Sequence, residues 1–128
     1  MKSKIRIAIS GLGRIGRSIL KINLLNNKFE ISFCNDINSD IENLAYLLNY
    51  DSTYGKFQKN VSCTEDSLVC DKKKIDYLFP KSLLEIDWEK YQTDVLIISS
   101  GIENSILEAR ELINAGKIKK AIVTHCSD

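Results

Sequence analysis

The run Gly11-Leu12-Gly13-Arg14-Ile15-Gly16 constrains this chain more than any other feature. Its spacing is G-x-G-x-x-G. A β-branched run, Ile5-Arg6-Ile7-Ala8-Ile9, precedes it, and Ser10 joins the two. After it, Ile15, Ile19 and Ile22 recur at helical spacing, widened by Leu20 and Leu24. The helix is expected to end near Asn26-Asn27 in a left-handed cap. A second β-type run, Glu30 to Cys34, closes on Asn35-Asp36, and Asp36 follows Gly16 by 20 residues. Strand, glycine turn, helix, strand and terminal acid in this order predict a Rossmann-type βαβ unit that holds a dinucleotide.

The residue types suit that ligand. A pyrophosphate is anionic and must approach backbone closely. Gly11 permits the tight turn, Gly13 removes a side chain where phosphates arrive, and Gly16 lets helix pack near strand. The amides of Arg14 and Ile15 fall in the first helical turn, where no intrahelical acceptor exists, and the helix dipole favours an anion there. Asp36 would accept from the adenosine ribose hydroxyls and repel a 2′-phosphate, so NAD is expected over NADP. The plainer alternative is a glycine-rich turn that only joins strand to helix, with Asp36 as a strand-end turn residue.

The remaining pattern extends the same class. Asp40 is placed to cap a helix over Ile41 to about Leu48. Short β-type runs at 57 to 63, 67 to 70 and 74 to 79 suggest a small antiparallel excursion. Leu83 to Tyr91 reads as a short helix or irregular turn. Val95-Leu96-Ile97-Ile98 reads as a central strand buried on both faces. Ser105-Ile106-Leu107-Glu108 has the form of a capping box ahead of a stripe of Ile106, Ala109 and Ile113, with Gly116 just past the helix end. Ala121-Ile122-Val123-Thr124 is a last strand. The expectation is one α/β domain with a mainly parallel sheet.

Composition removes other classes. A net charge of +1 offers no basic footprint for nucleic acid. No apolar stretch approaches the ~20 residues of a membrane span. The first residues lead straight into a strand with no secretory segment, so a cytoplasmic location is expected. Cys34, Cys63, Cys70 and Cys126 have no metal-ligand spacing and read as small apolar residues. Tyr46, Tyr50 and Tyr54 recur every four residues and read as core and subunit packing around a helix end.

Longer stretches add a family likeness. Ile9 to Arg17 resembles the opening of glyceraldehyde-3-phosphate dehydrogenases, and Leu44-Ala45-Tyr46-Leu47-Leu48-Asn49-Tyr50-Asp51-Ser52-Thr53-Tyr54-Gly55-Lys56-Phe57 resembles that family's segment after its second strand. Trp88 to Gly101, ending Ser99-Ser100-Gly101, is similar to the stretch leading into its Ser-Thr-Gly turn, and Ala115 to Thr124 to the next helix-to-strand step. The resemblance implies that Gly11, Gly13, Arg14, Ile15 and Gly16 hold the pyrophosphate of NAD and Asp36 the ribose. It further implies that Ser99, Ser100, Gly101 and Thr124 lie along the route to the nicotinamide.

For the parent enzyme it implies a homotetramer that oxidises glyceraldehyde 3-phosphate, with NAD and inorganic phosphate, to 1,3-bisphosphoglycerate. The family's Ser-Cys-Thr-Thr-Asn motif falls beyond the point matching Asp128. Residues 1 to 128 are therefore expected to be a portion of the NAD-binding domain, without the catalytic domain. Alternatives are an erythrose-4-phosphate dehydrogenase cofactor domain and a stand-alone, non-catalytic nucleotide-binding or regulatory module. Three departures from the family pattern stand out. Ser10 replaces an asparagine, Phe79 replaces an arginine before Pro80, and Thr124-His125-Cys126-Ser127 replaces Ser-Ala-Pro-Ser. His125 and Cys126 would point to opposite faces of a continuing strand, so they are not read as a nucleophilic pair.

Overall fold

The computed structural model of the chain describes residues 4–50 and 56–124. Asp51 to Gly55, His125 and Cys126 lie outside the described residues, and with them Tyr54 and part of the long family-like segment.

β1 (Arg6–Ser10) lies between β2 (Glu30–Asn35) and β6 (Val95–Ile98), parallel to both. The register runs from Arg6↔Glu30 to Ser10↔Asn35 on one side and from Ile7↔Val95 to Ser10↔Ile98 on the other. β7 (Lys120–Val123) adds in parallel to β6. β5 (Lys73–Leu78) adds in parallel to β2 and turns back through β4 (Ser67–Cys70) and β3 (Ser62–Cys63), both antiparallel. The sheet has seven strands in the order β3-β4-β5-β2-β1-β6-β7. The expected α/β class and the antiparallel excursion are both present. The excursion is shorter than expected at its start. Phe57 donates its N–H to the Asn49 carbonyl, and the buried Asn49 amide exchanges two hydrogen bonds of 2.8 Å with Val61. That backbone is satisfied by a side chain in place of a ladder.

Two cores follow from the two sheet faces. α1 (Arg14–Asn26) and α2 (Ile41–Tyr50) cover one face over Ile9 and Cys34. A 3-10 turn (Leu83–Glu85), α3 (Trp88–Tyr91) and α4 (Glu103–Asn114) cover the other over Ala8, Phe33, Leu96 and Ile98. Phe33 is fully buried and meets the rings of Trp88 and Tyr91 at 5.3 and 4.8 Å. The buried Cys34 and Cys70 fill core positions as expected, and burial pushes the Cys34 thiol up to about 12.

Several faces differ from the periodicity. α1 buries Gly16, Leu20, Asn23 and Leu24, whereas Ile22 is 59% exposed. α4 buries Ser105, Ala109 and Leu112, and Ile113 is exposed. In both cases small residues face the sheet and let the helix approach, which leaves the larger flanking isoleucines on the rim. Val95 and Ile97 are only half-buried, so β6 is closed on one face and partly open on the other. Tyr46 and Tyr50 are not core residues. Their rings meet at a tilt, 5.0 Å apart, on the outer face of α2, 60% and 48% exposed.

Asp40 caps α2 as expected, accepting from the Asn43 N–H at 3.0 Å. Asn27 ends α1 at φ 53°, and Gly116 follows α4 at φ 74°. There Lys117 N–H reaches the Leu112 carbonyl and Gly116 N–H the Ile113 carbonyl, the paired bonds of a Schellman motif. The capping box expected at Ser105–Glu108 does not exist. α4 begins at Glu103, and Ser105 lies inside it. The capping box is at Ser82–Glu85, where Ser82 Oγ accepts from Leu84 N–H and Glu85 accepts from Ser82 N–H.

Candidate cofactor site

The strand order reverses direction between β1 and β6, and a cleft opens at the carboxyl ends of these strands, the expected place for a ligand in such a sheet. Its volume is about 340 Å³. Ser10, Asn35 and Asp36 form its floor from β1 and β2, and Ser99 and Ser100 enter from β6. Gly11 and Gly13 supply the near wall, and Pro80, Lys81 and Leu83 with the start of α4 supply the far wall.

The three fingerprint glycines answer three different constraints. Gly11 sits at φ 95°, and a Cβ there would lie 2.4 Å from Ser100 N. Gly16 is packed under the turn, and a Cβ there would lie 2.0 Å from the Gly11 carbonyl oxygen and 2.8 Å from Ser99 Oγ. Both glycines exist for packing. At Gly13 a Cβ would meet nothing within 4 Å, so the space above it is open to the cleft. Gly13 is also the N-cap of α1. It provides no side-chain acceptor, and no acidic residue stands in the first turn. The first amides of α1, those of Arg14 and Ile15, are thus left for an anion, with a bare backbone before them. This arrangement fits a diphosphate.

Asp36 is half-buried at the end of β2. One carboxylate oxygen accepts from Leu12 N–H at 2.7 Å and the other from Asn38 N–H at 3.1 Å. Each oxygen retains a further acceptor position. Tyr77 O–H donates to the Asn38 carbonyl and braces the same turn. Burial, followed by the Asp36 carboxylate, drives the Tyr77 hydroxyl well above the ordinary tyrosine range, so it stays a donor.

Of the residues singled out in the sequence, Gly11, Gly13, Asp36, Ser99 and Ser100 line one cleft. Arg14 and Ile15 open α1 at its edge, and Gly16 supports the turn from beneath. Ser99 Oγ donates to the Gly11 carbonyl at 2.7 Å, so it ties β6 to the glycine turn. Gly101 lies exposed at φ 72° between Ser100 and α4. Thr124 follows β7, with its N–H on the Ile98 carbonyl and a buried Oγ1 that has no hydrogen-bond partner among the described residues. Gly101 and Thr124 are outside the cleft lining.

The far wall was not legible in the sequence. Glu108 crosses from α4 to accept from Leu83 N–H at 3.1 Å and from Ser82 O–H, which docks the segment after Pro80 onto α4. The Ser105–Glu108 spacing signalled an acid with a backbone to hold, but it pointed to the wrong helix end. Phe79 is 51% exposed and faces a neighbouring groove beside Tyr77. A cation does enter the cleft wall, but it is Lys81, just past Pro80. In the floor, Asn35 has a buried Oδ1 with no hydrogen-bond partner among the described residues.

Comparison with known proteins agrees with this geometry. Residues 5–106 match the family model described as glyceraldehyde 3-phosphate dehydrogenase, NAD binding domain. Glyceraldehyde-3-phosphate dehydrogenase 2 of Kluyveromyces marxianus is 37% identical over 120 residues, covering 94% of this chain and 36% of that protein. Glyceraldehyde-3-phosphate dehydrogenase 2 of Bacillus subtilis is 34% identical over 121 residues, covering 94% and 35%. The Trypanosoma brucei brucei protein named as cytosolic glyceraldehyde-3-phosphate dehydrogenase is 37% identical over 120 residues, covering 94% and 36%. The chain spans about a third of the length of these relatives. On the glycine turn, the cleft and these matches together, the chain belongs to the family of glyceraldehyde-3-phosphate dehydrogenase NAD-binding domains.

Proposed function

We propose that the cleft holds NAD with its pyrophosphate over Gly13 and on the amides of Arg14 and Ile15. Gly11 and Gly16 shape the turn beneath it. Asp36 accepts from the adenosine ribose hydroxyls, and its charge excludes a 2′-phosphate. Ser99, Ser100, Gly101 and Thr124 flank the path toward the nicotinamide end. The observation that carries the reading is the uncapped, glycine-fronted start of α1 facing the Asp36 carboxylate across one cleft.

When bound, the nicotinamide supplies a hydride acceptor. The residues of this chain bind and orient. In the whole protein we infer the phosphorylating oxidation of glyceraldehyde 3-phosphate to 1,3-bisphosphoglycerate in a homotetramer, with residues 1 to 128 as the cofactor portion and the aldehyde chemistry outside them. The relatives are named as glyceraldehyde-3-phosphate dehydrogenases, which supports the oxidation of that aldehyde, and one of them is named as cytosolic, which supports a cytoplasmic setting. Among the described residues no helix is long and apolar enough to cross a membrane.

Calorimetric titration tests the reading. NAD is expected to bind the 128-residue chain, and Asp36→Ala is expected to weaken NAD more than NADP. A titration with neither heat nor a thermal shift at saturating NAD overturns cofactor binding. Equal losses for NAD and NADP overturn the ribose role of Asp36.

A further inference from the structure

The Leu12 peptide groups are held from both sides. Asp36 accepts the Leu12 N–H at 2.7 Å, and Arg17 Nη1 donates to the Leu12 carbonyl at 3.0 Å. The Leu12 side chain between them is buried in the core over α1 and α2. One residue earlier, Gly11 N–H is fixed on the Asn35 carbonyl at 2.8 Å. Because a peptide unit is planar, holding the Leu12 carbonyl also sets the direction of the Gly13 N–H across the same unit. Two successive peptide planes of the glycine turn are therefore fixed by one acid from β2 and one base from α1.

We propose that Asp36 and Arg17 clamp the Leu12 backbone and so hold the glycine turn in the form that receives a diphosphate. Asp36 is then a positioning residue for the diphosphate as well as the ribose acceptor, and Arg17 is a positioning residue that acts from outside the cleft. The proposal deepens the NAD reading above and rests on it for the ligand. The carboxylate serves both purposes because each oxygen accepts one backbone N–H and keeps a second acceptor site for a hydroxyl. A hydrogen bond to a charged acceptor is also stronger than a neutral one, which suits a brace that must persist before ligand arrives.

The test separates ribose from diphosphate with two probes, ADP and 2′,3′-dideoxy-ADP, which lacks both ribose hydroxyls. Asp36→Asn is expected to weaken dideoxy-ADP about tenfold, the scale of one charge-assisted hydrogen bond, and to weaken ADP further. Arg17→Met is expected to weaken both probes by the same factor. A dideoxy-ADP affinity that is unchanged in Asp36→Asn, while ADP weakens, leaves Asp36 a ribose acceptor alone and overturns the clamp. Amide hydrogen exchange at Leu12 gives a ligand-free reading. Exchange is expected to be about tenfold faster in Asp36→Asn, with β6 unchanged, and equal rates overturn the proposal. Should Asp36→Asn fail to fold, Arg17→Met carries both measurements. A wild-type chain that binds neither NAD nor ADP overturns the cofactor reading and the diphosphate half of this one, while Leu12 exchange still decides whether the clamp exists.

Discussion

α1 and α4 both start at the carboxyl edge of the same sheet, and both begin without a side-chain cap on their first amides. Their surroundings are nevertheless opposite. α1 opens with Gly13, has no acid in its first turn, and looks across open space. α4 opens with Ile102 and carries Glu103 in its first turn, while Ser100 Oγ accepts from the Ile102 N–H at 3.3 Å. The start of α4 carries an acid of its own, and the start of α1 has none and faces open space. A helix terminus near a strand end is therefore insufficient to define an anion site. A bare backbone and the absence of an internal carboxylate are what make the start of α1 the better fit to an anion.

The comparison breaks first at Gly16. If α1 must touch the turn to present its amides, Gly16→Ala forces a Cβ to 2.0 Å from a backbone oxygen. A loss of about 3 kcal/mol or more is expected in urea unfolding. Near-wild-type stability would mean that helix and turn are not in contact as described. Next, Glu108→Ala removes the acceptor for Leu83 N–H and Ser82 O–H on the α4 side. It is expected to cost about 2 kcal/mol by the same measurement, with a weaker effect on NAD than any change at α1.

Gly13→Ala sharpens the contrast between packing and binding glycines. Its φ of −74° suits alanine, and no atom stands in the way. Stability is expected to move by no more than about 1 kcal/mol, whereas NAD affinity in calorimetry falls about tenfold. Arg14→Glu converts the start of α1 toward that of α4. The free chain is expected to gain about 0.5 kcal/mol from the helix dipole while NAD binds more weakly, and a simultaneous gain in NAD affinity would refute the anion site.

The smallest effect lies away from both helices. The Arg6 backbone N–H at 2.9 Å, aided by Lys119, holds the Asp94 carboxyl below its ordinary range. A lowered folded-state value contributes stability above the ordinary aspartate range, and that contribution is lost as pH falls through it. Acid unfolding of Asp94→Asn should accordingly show a shallower slope between about pH 4 and the folded value, with NAD binding unaffected.

How much of this was legible depends on the range over which each signal acts. The glycine spacing, the strand before it and the acid after it are local, and all of them fell where the spacing put them. Asp40 and Gly116 likewise signalled their caps from adjacent residues. The helix faces were misjudged at Ile22 and Ile113. Periodicity ranks residues by apolarity, whereas close approach to a sheet rewards small side chains such as Gly16, Ser105 and Ala109. Ser105–Glu108 failed as a cap for a related reason. A carboxylate three residues after a serine can turn back to its own helix or reach another segment, and only the position of Ser82 and Leu83 decides between them.

By itself, then, the amino-acid sequence determined the α/β class, the strand-to-helix turn and the ligand that turn suits, because those depend on backbone freedom and charge within a few residues. Only the tertiary structure decided which glycine faces the open cleft and which face neighbours, and that Asp36 accepts from Leu12. It alone decided that Glu108 closes the far wall. Those outcomes depend on which atoms distant segments bring within hydrogen-bonding or van der Waals distance, and spacing along the chain carries no record of that.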